Sequence, residues 1–221
     1  TTDNSAPVFY SLDENGVTAT PVDGSSQPTQ PEQPQQPDQP NQDDFVIGSA
    51  EEYRAYWNTH SSPSTYIATG RTVPEDANIL IRYTGDGRTV TIPEGVTYIG
   101  TCAFTGCDNV TGVVIPGSVS EIGYGAFAEC GNLIDVVIEN GVKTIGEVAF
   151  AHCSDLTSVT LPESLSEIDM QASFNCPSLR IVTLPNSLKE LPYGAFMSCV
   201  GMESVAIPAS VTKIANTAFY N

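Results

Sequence analysis

The chain has 221 residues and a formal net charge of −18, from 26 acidic and 8 basic side chains. This balance excludes a large basic surface, so nucleic acid and anionic membrane surfaces are not expected as partners. No apolar run approaches the roughly 20 residues that cross a bilayer, so membrane insertion is not expected either.

Residues 1–23 form a polar tail with a hairpin signal, because two β-prone runs flank Asn15-Gly16. The chain begins at Thr1 rather than at methionine, which indicates that a signal peptide or another upstream segment has been removed. Residues 1–44 hold few basic groups and many polar ones. This composition suits the processed start of an exported protein.

Residues 24–44 are predicted to form an extended linker. Proline stands at every third position from Pro28 to Pro40. Because a polyproline II helix has about 3 residues per turn, these prolines would line one edge of a semi-rigid rod. We interpret the rod as a stalk, in preference to a docking motif for a proline-binding module.

Residues 45–87 are predicted to form an N-terminal cap. A capping box at Ser49 to Glu52 begins a helix that should run to about Thr59. Residues 78–83 then alternate like a strand. The helix carries three aromatic residues on one face: Tyr53, Tyr56 and Trp57. The end of a repeat stack exposes its core, so we expect these aromatics to pack over the first repeat.

Residues 88–221 repeat nearly six times with a period of 23 residues. Three columns define the period: Cys107, Cys130, Cys153, Cys176 and Cys199; Pro93, Pro116, Pro162, Pro185 and Pro208; and Phe104, Phe127, Phe150, Phe196 and Phe219. A fixed period in this range predicts a solenoid, in which each coil buries its apolar face against its neighbours.

The second coil shows how the repeat should fold. Val113 and Ile115 alternate with outward residues, which predicts a strand that Pro116 ends. The following apolar positions have the spacing of a short helix on the convex side: Ala126, Phe127, Cys130 and Leu133. About eight positions per coil therefore point inward, and stacking turns each into a continuous column.

Five of the six cysteines hold equivalent positions, so their side chains should enter the core in parallel rather than face each other. We expect buried free thiols that act as small apolar fillers. Cys102 lies off this column, and a Cys102–Cys107 disulfide is the less favoured alternative.

A glycine column and one irregular coil carry further local predictions. The column of Gly100, Gly123 and Gly146 also contains Pro192, which cannot adopt a positive φ. These glycines should therefore serve close packing rather than a left-handed turn. In the fourth coil Phe174 stands one residue late, which predicts a distorted helical turn.

The repeat resembles the BspA-type leucine-rich repeat, also called the Treponema type, with the unit I-P-x-x-V-x-x-I-G-x-x-A-F-x-x-C-x-x-L-x-x-V. The resemblance covers Val90 to Asn221. It implies an α/β fold, a right-handed solenoid with a parallel concave sheet and short convex helices. Similar proteins sit on the surfaces of anaerobic bacteria and some parasitic protists, and several are implicated in adhesion. The resemblance therefore implies an extracellular or cell-surface module that binds a protein.

Catalysis is not expected. The chain has two histidines, His60 and His152, and the second precedes Cys153. Because Cys153 should be buried, a hydrolase that uses Cys153 and His152 is the least favoured hypothesis. No metal-binding, cofactor-binding or catalytic motif occurs in the sequence, so no cofactor is expected.

The predicted concave face is the candidate partner-binding surface, since small and β-branched residues there could accept an extended polypeptide. Its residues are Thr89, Thr91, Gly112, Val114, Asp135, Val137, Ser158, Thr160, Ile181, Thr183, Ser204 and Ala206. A structural explanation competes evenly, because strands favour β-branched residues anyway. Tyr98, Tyr124 and Tyr193 are alternative contact points.

Two functions from different classes remain open at this point. The chain is either an adhesion or protein-interaction module, or a structural spacer in a larger surface protein. The last coil stops at Asn221, one residue before the next column cysteine would fall. Its apolar residues should therefore be poorly covered, which favours further coils or an end-to-end contact with a partner.

Overall fold

The structure is a computed structural model, and it describes residues 12–13, 16–17, 41–60 and 73–221. The chain divides into two compact units, Thr1–Gln36 and Pro37–Asn221. In the first unit, β1 (Leu12–Asp13) pairs antiparallel with β2 (Gly16–Val17), within the predicted hairpin segment. Of the predicted extended linker, residues 24–44, the part up to residue 40 lies outside the described residues, and Gln42–Asp44 form a 3₁₀ helix rather than an extended chain.

The second unit begins with a short 3₁₀ helix (Gln42–Asp44), β3 (Phe45–Gly48) and α1 (Ala50–His60). The predicted capping box is present. The Ser49 backbone N–H donates to the Glu52 carboxylate over 2.8 Å, and the Glu52 N–H donates to the Ser49 hydroxyl over 3.3 Å. Both bonds satisfy N–H groups at the start of the helix. The Ser49 N–H and the Ser49 hydroxyl, which donates over 2.9 Å, both stabilise the Glu52 carboxylate and lower the pKa of Glu52.

Two parallel sheets run through the solenoid. The long-strand sheet contains β5 (Thr89–Thr91), β7 (Gly112–Ile115), β9 (Asp135–Ile138), β11 (Ser158–Thr160) and β13 (Ile181–Thr183). Each residue pairs with the one 23 positions later, as Val113 does with Val136 and Val136 with Val159. The sequence period is therefore the register of the sheet, which confirms the solenoid.

The second sheet was not predicted. It joins two-residue strands to β4 (Ile79–Tyr83): β6 (Tyr98–Ile99), β8 (Glu121–Ile122), β10 (Thr144–Ile145) and β12 (Glu167–Ile168). A separate pair, β14 (Glu190–Leu191) with β15 (Lys213–Ile214), continues the pattern in the last coils. At the other end β3 pairs antiparallel with β4. The antiparallel strand β3 thus covers the edge of β4, where the series of parallel strands ends.

The convex segments are turns, not the short helices that the sequence predicts. In the first coil the N–H groups of Cys102 and Phe104 donate to the carbonyls of Tyr124 and Ala126 in the next coil, over 2.9 and 2.7 Å. Two positions in each of the first five turns, and one in the last, have a positive φ, which an α-helix cannot accommodate. They are Cys102, Gly125, Val148, Gln171, Gly194 and Thr217, followed four residues later by Gly106, Glu129, His152, Asn175 and Ser198.

The predicted cysteine and phenylalanine columns are buried in the inner coils, while Cys107 and Phe219 at their ends are half-buried. Phe127 stacks on Phe104 and Phe150, with ring centroids 4.7 and 5.3 Å apart. In the fourth coil Ser173 is buried at the position that phenylalanine holds in the other coils. Phe174, the next residue, is half-buried outside the phenylalanine column. The backbone turn nevertheless keeps the regular inter-coil bonds, such as Ser173 N–H to Ala195 carbonyl over 3.0 Å. The predicted distortion is therefore wrong, because the side chain moves out of the column while the backbone does not.

The glycine column serves close packing, as the sequence predicts. A Cβ added to Gly123 would lie 2.7 Å from the carbonyl oxygen of Ile99 in the preceding coil. One added to Gly146 would lie 2.9 Å from the carbonyl oxygen of Ile122. These distances are shorter than van der Waals contact, so a side chain at either position would push two coils apart.

Candidate functional site

The sheet face is the outward surface of the long-strand sheet. Ten of the twelve predicted face residues belong to it and lie in register across five strands. They are Thr89, Thr91, Gly112, Val114, Asp135, Val137, Ser158, Thr160, Ile181 and Thr183. The geometry thus aligns them as two parallel rows, one on each side of the buried central column.

Most of these side chains are exposed, and the exposure is partly apolar. Ile181 is 67% exposed and pairs with Ser158 on the neighbouring strand. Val137 is 39% exposed and lies between Val114 and Thr160. Asp135 is the charged residue of the face. Its carboxylate leans over Gly112, since a Cβ there would lie 3.4 Å from the Asp135 Oδ2. Gly112 therefore forms a notch beside that carboxylate.

The remaining two predicted residues, Ser204 and Ala206, lie exposed but outside any strand. The last two coils are joined elsewhere, as by the backbone bond from the Thr212 N–H to the Lys189 carbonyl over 2.9 Å. Within residues 73–221, the segment 203–207 makes no backbone bond to β13. The sheet face thus ends at β13. The sixth coil also leaves Ile214 51% exposed.

A polar groove of about 490 Å³ adjoins the sheet face. It is lined by Asp86, Arg88, Asp108, Asn109, Thr111, Asn132, Ile134 and Asp155. Arg88, Thr111 and Ile134 each come directly before a residue of the sheet face, so the groove meets the sheet where its strands begin. The sequence did not predict this groove, although three of its residues follow the 23-residue period of the repeat: Asn109, Asn132 and Asp155.

The side chains of the neighbouring residues Cys153 and His152 lie in different environments, one buried and one exposed. The Cys153 side chain is buried and its thiol donates to the Phe127 carbonyl over 3.1 Å. Burial raises the pKa of Cys153 to about 12. His152 is exposed and its Nδ1 lies 2.9 Å from the Asn175 side-chain nitrogen. A nucleophilic cysteine needs a thiolate and an adjacent base, and neither condition is met here.

The other sequence candidates are dispersed. Tyr98 is 6% exposed and packs edge-on against Tyr53, with ring centroids 6.4 Å apart, so it is part of the cap and not a contact point. Tyr124 is half-buried, and Tyr193 is 46% exposed on the convex side. His60 stacks on Tyr56, with ring centroids 4.3 Å apart.

The described residues offer neither a metal site nor a membrane-spanning helix. None of their His, Cys, Asp and Glu side chains form a group of three or more that could hold a metal ion. No helix among them has the length and apolarity to cross a bilayer.

The family follows from a sequence comparison. The model of the BspA type leucine-rich repeat region matches residues 82–201 and 164–221, in six copies, and so covers more than half of the chain. The chain belongs to this family. Leucine-rich repeat solenoids of this family are typically structural or interaction domains rather than enzymes. Among curated proteins, none matches the chain.

Solved bacterial leucine-rich repeat proteins share the fold. A leucine-rich cell-surface protein from Faecalibacterium prausnitzii is 33% identical, with a TM-score of 0.59, over 68% of this chain and 43% of its own. A Treponema pallidum leucine-rich repeat protein is 25% identical, with a TM-score of 0.52, over 80% of this chain and 86% of its own.

A leucine-rich repeat protein from Eubacterium ventriosum is 25% identical, with a TM-score of 0.55. The match covers 65% of this chain and 47% of that one. The chain thus spans less than half the length of the Faecalibacterium and Eubacterium proteins.

Proposed function

We propose that this chain is an exported or cell-surface adhesion module that binds a protein partner through the sheet face, without catalysis. The observation that carries the proposal is the set of exposed β-branched side chains in the two rows, with Val137 in one row and Ile181 in the other. The similarity to a leucine-rich cell-surface protein from Faecalibacterium supports the extracellular location.

The width, the shape and the stiff side chains of the sheet face favour a polypeptide over a small molecule as the ligand. Five strands spaced about 4.8 Å apart give a surface about 19 Å across. Valine, isoleucine and threonine are stiff at χ1, so holding them against a partner costs little conformational entropy. A small ligand needs a concave pocket that encloses most of its surface, whereas a flat sheet suits another protein.

A structural spacer is the second candidate. The chain covers 43% of the Faecalibacterium protein and 47% of the Eubacterium protein, so comparable coils occur within longer chains. In a spacer the sheet face would contribute to solubility and packing alone. Substitutions on the face would then leave every binding property of the longer protein unchanged.

The test is capture of purified extracellular-matrix and cell-surface proteins by the full chain and by two variants. Val137→Arg adds a long charged side chain to the sheet face. Met170→Arg makes the same kind of change at a convex residue that is 50% exposed. The proposal predicts that a captured protein is lost with Val137→Arg and kept with Met170→Arg. Loss with both variants, or with Met170→Arg alone, would overturn it.

A further inference from the structure

We propose that the sheet face and the polar groove together bind an extended polypeptide segment that carries lysine or arginine side chains. This inference rests on the proposed function and names the chemistry of its partner. Three observations carry it: the continuity of the groove with the sheet, the charges that line both, and the length of the groove.

Continuity comes from the chain itself. Arg88, Thr111 and Ile134 line the groove, and the next residue in each case lies on the sheet face. The two surfaces therefore adjoin on three successive coils. A segment that crosses the coils can contact the groove with one side and the face with the other.

The net negative charge of the groove favours a partner with cationic side chains. Three of the eight groove residues are aspartates and one is arginine, and Asp135 adds a fourth carboxylate at the border with the face. All four carboxylates are on exposed residues: Asp86, Asp108, Asp135 and Asp155. Within the described residues, none of these carboxylates forms an ion pair or a hydrogen bond. They are available to cationic side chains, which Coulomb attraction favours over acidic ones.

Length limits the segment. The groove is lined from four successive coils, and three intervals of about 4.8 Å give about 14 Å. An extended chain advances about 3.3 Å per residue, so about four residues fit along it. The notch at Gly112 lets a long side chain reach the Asp135 carboxylate without meeting a Cβ. Arg88 can pair with a backbone carbonyl or with an acidic residue of the same segment.

The test measures fluorescence anisotropy of two labelled eight-residue peptides, one alternating lysine and serine, the other alternating glutamate and serine. The full chain should bind the lysine peptide and not the glutamate peptide, more weakly at high salt. Asp135→Asn combined with Asp155→Asn should weaken binding about fivefold. The control combines Glu94→Gln with Glu129→Gln, two exposed residues away from the groove, and should leave affinity within about twofold.

Three results would overturn the inference. They are no binding of the lysine peptide, equal binding of both peptides, and equal weakening by the two double variants, which would indicate general attraction to an acidic chain. The proposed function would survive any of them if Val137→Arg still abolished capture of the protein partner. Loss of that effect with intact peptide binding would overturn the proposed function instead.

Discussion

The thiol of Cys153 donates a hydrogen bond to the carbonyl oxygen of Phe127, 3.1 Å away in the preceding coil. The same bond recurs from Cys130 to Phe104 over 3.0 Å and from Cys176 to Phe150 over 3.0 Å. The cysteine column is therefore more than the apolar filler predicted from the sequence. Each of these thiols also satisfies a carbonyl that faces the core.

Cys153→Ala should lower the free energy of unfolding by about 1–3 kcal/mol, because the buried Phe127 carbonyl loses its donor. Chemical denaturation measures the change. The matched control is Cys107→Ala, at the half-buried first member of the column, whose thiol bonds no described residue. It should cost less than about 1 kcal/mol. Equal costs for the two variants would contradict a role for the hydrogen bond.

Phe127→Ala should cost about 3–5 kcal/mol, since it removes a fully buried ring stacked between two others. Phe174→Ala is the control, because this ring left the column and meets His152 edge-on, with centroids 5.2 Å apart. Its cost should be about half as large or smaller. An unchanged melting temperature for Phe127→Ala would show that the stack is not part of the core.

Gly123→Ala should destabilise the protein by about 1–3 kcal/mol, because the new methyl group meets the Ile99 carbonyl oxygen at 2.7 Å. Gly131→Ala serves as the control. There the nearest atom is 3.5 Å away, an ordinary contact, and the shift should stay within about 0.5 kcal/mol. If both alanines proved neutral in thermal unfolding, the coils would not approach as closely as described.

Burial, with the Asp169 carboxylate nearby, raises the pKa of Glu147 in the folded chain. A carboxyl whose pKa is raised by folding favours the native state while protonated and loses that contribution as pH rises through the folded pKa. Glu147→Gln should therefore be more stable than the parent at pH 7, and this advantage should shrink towards pH 4. Melting temperatures of both proteins at the two pH values measure it. A constant difference would be inconsistent with the raised pKa.

The period made much of the fold predictable. Val113 and Ile115 alternate within a strand, and Ser49 with Glu52 marks a helix start, so each motif carries its own geometry. The glycine column could be interpreted because Pro192 excludes a positive φ there. In each case a local rule of backbone chemistry and the 23-residue repeat pointed to the same structure.

The convex turns could not be predicted in the same way. Their left-handed positions hold Val148, Gln171 and Thr217 as well as glycine, and such residues seldom adopt a positive φ. The apolar spacing at Ala126 and Phe127 fits a helix equally well. Only the bonds between neighbouring coils, which depend on stacking, select the turn.

The sequence predicted which strand residues form the sheet face, but it predicted neither where that face ends nor the adjoining groove. Alternation placed Val137 and Ile181 outward, whereas nothing in the repeat indicates that Ser204 and Ala206 leave the sheet. The groove is formed by loop residues that precede the strands. Loops lack the alternation of buried and exposed residues that reveals a strand face, so the sequence does not indicate a concave surface there.

The central claim is that equivalent side chains of successive coils stack into buried columns, and thiol labelling tests it most directly. In the folded, unreduced protein, Cys102 and Cys107 are half-buried and should react first, while Cys130, Cys153, Cys176 and Cys199 stay protected. After denaturation without reductant, all six should react. Rapid labelling of all six in the folded protein, or fewer than two free thiols after denaturation, would contradict the account.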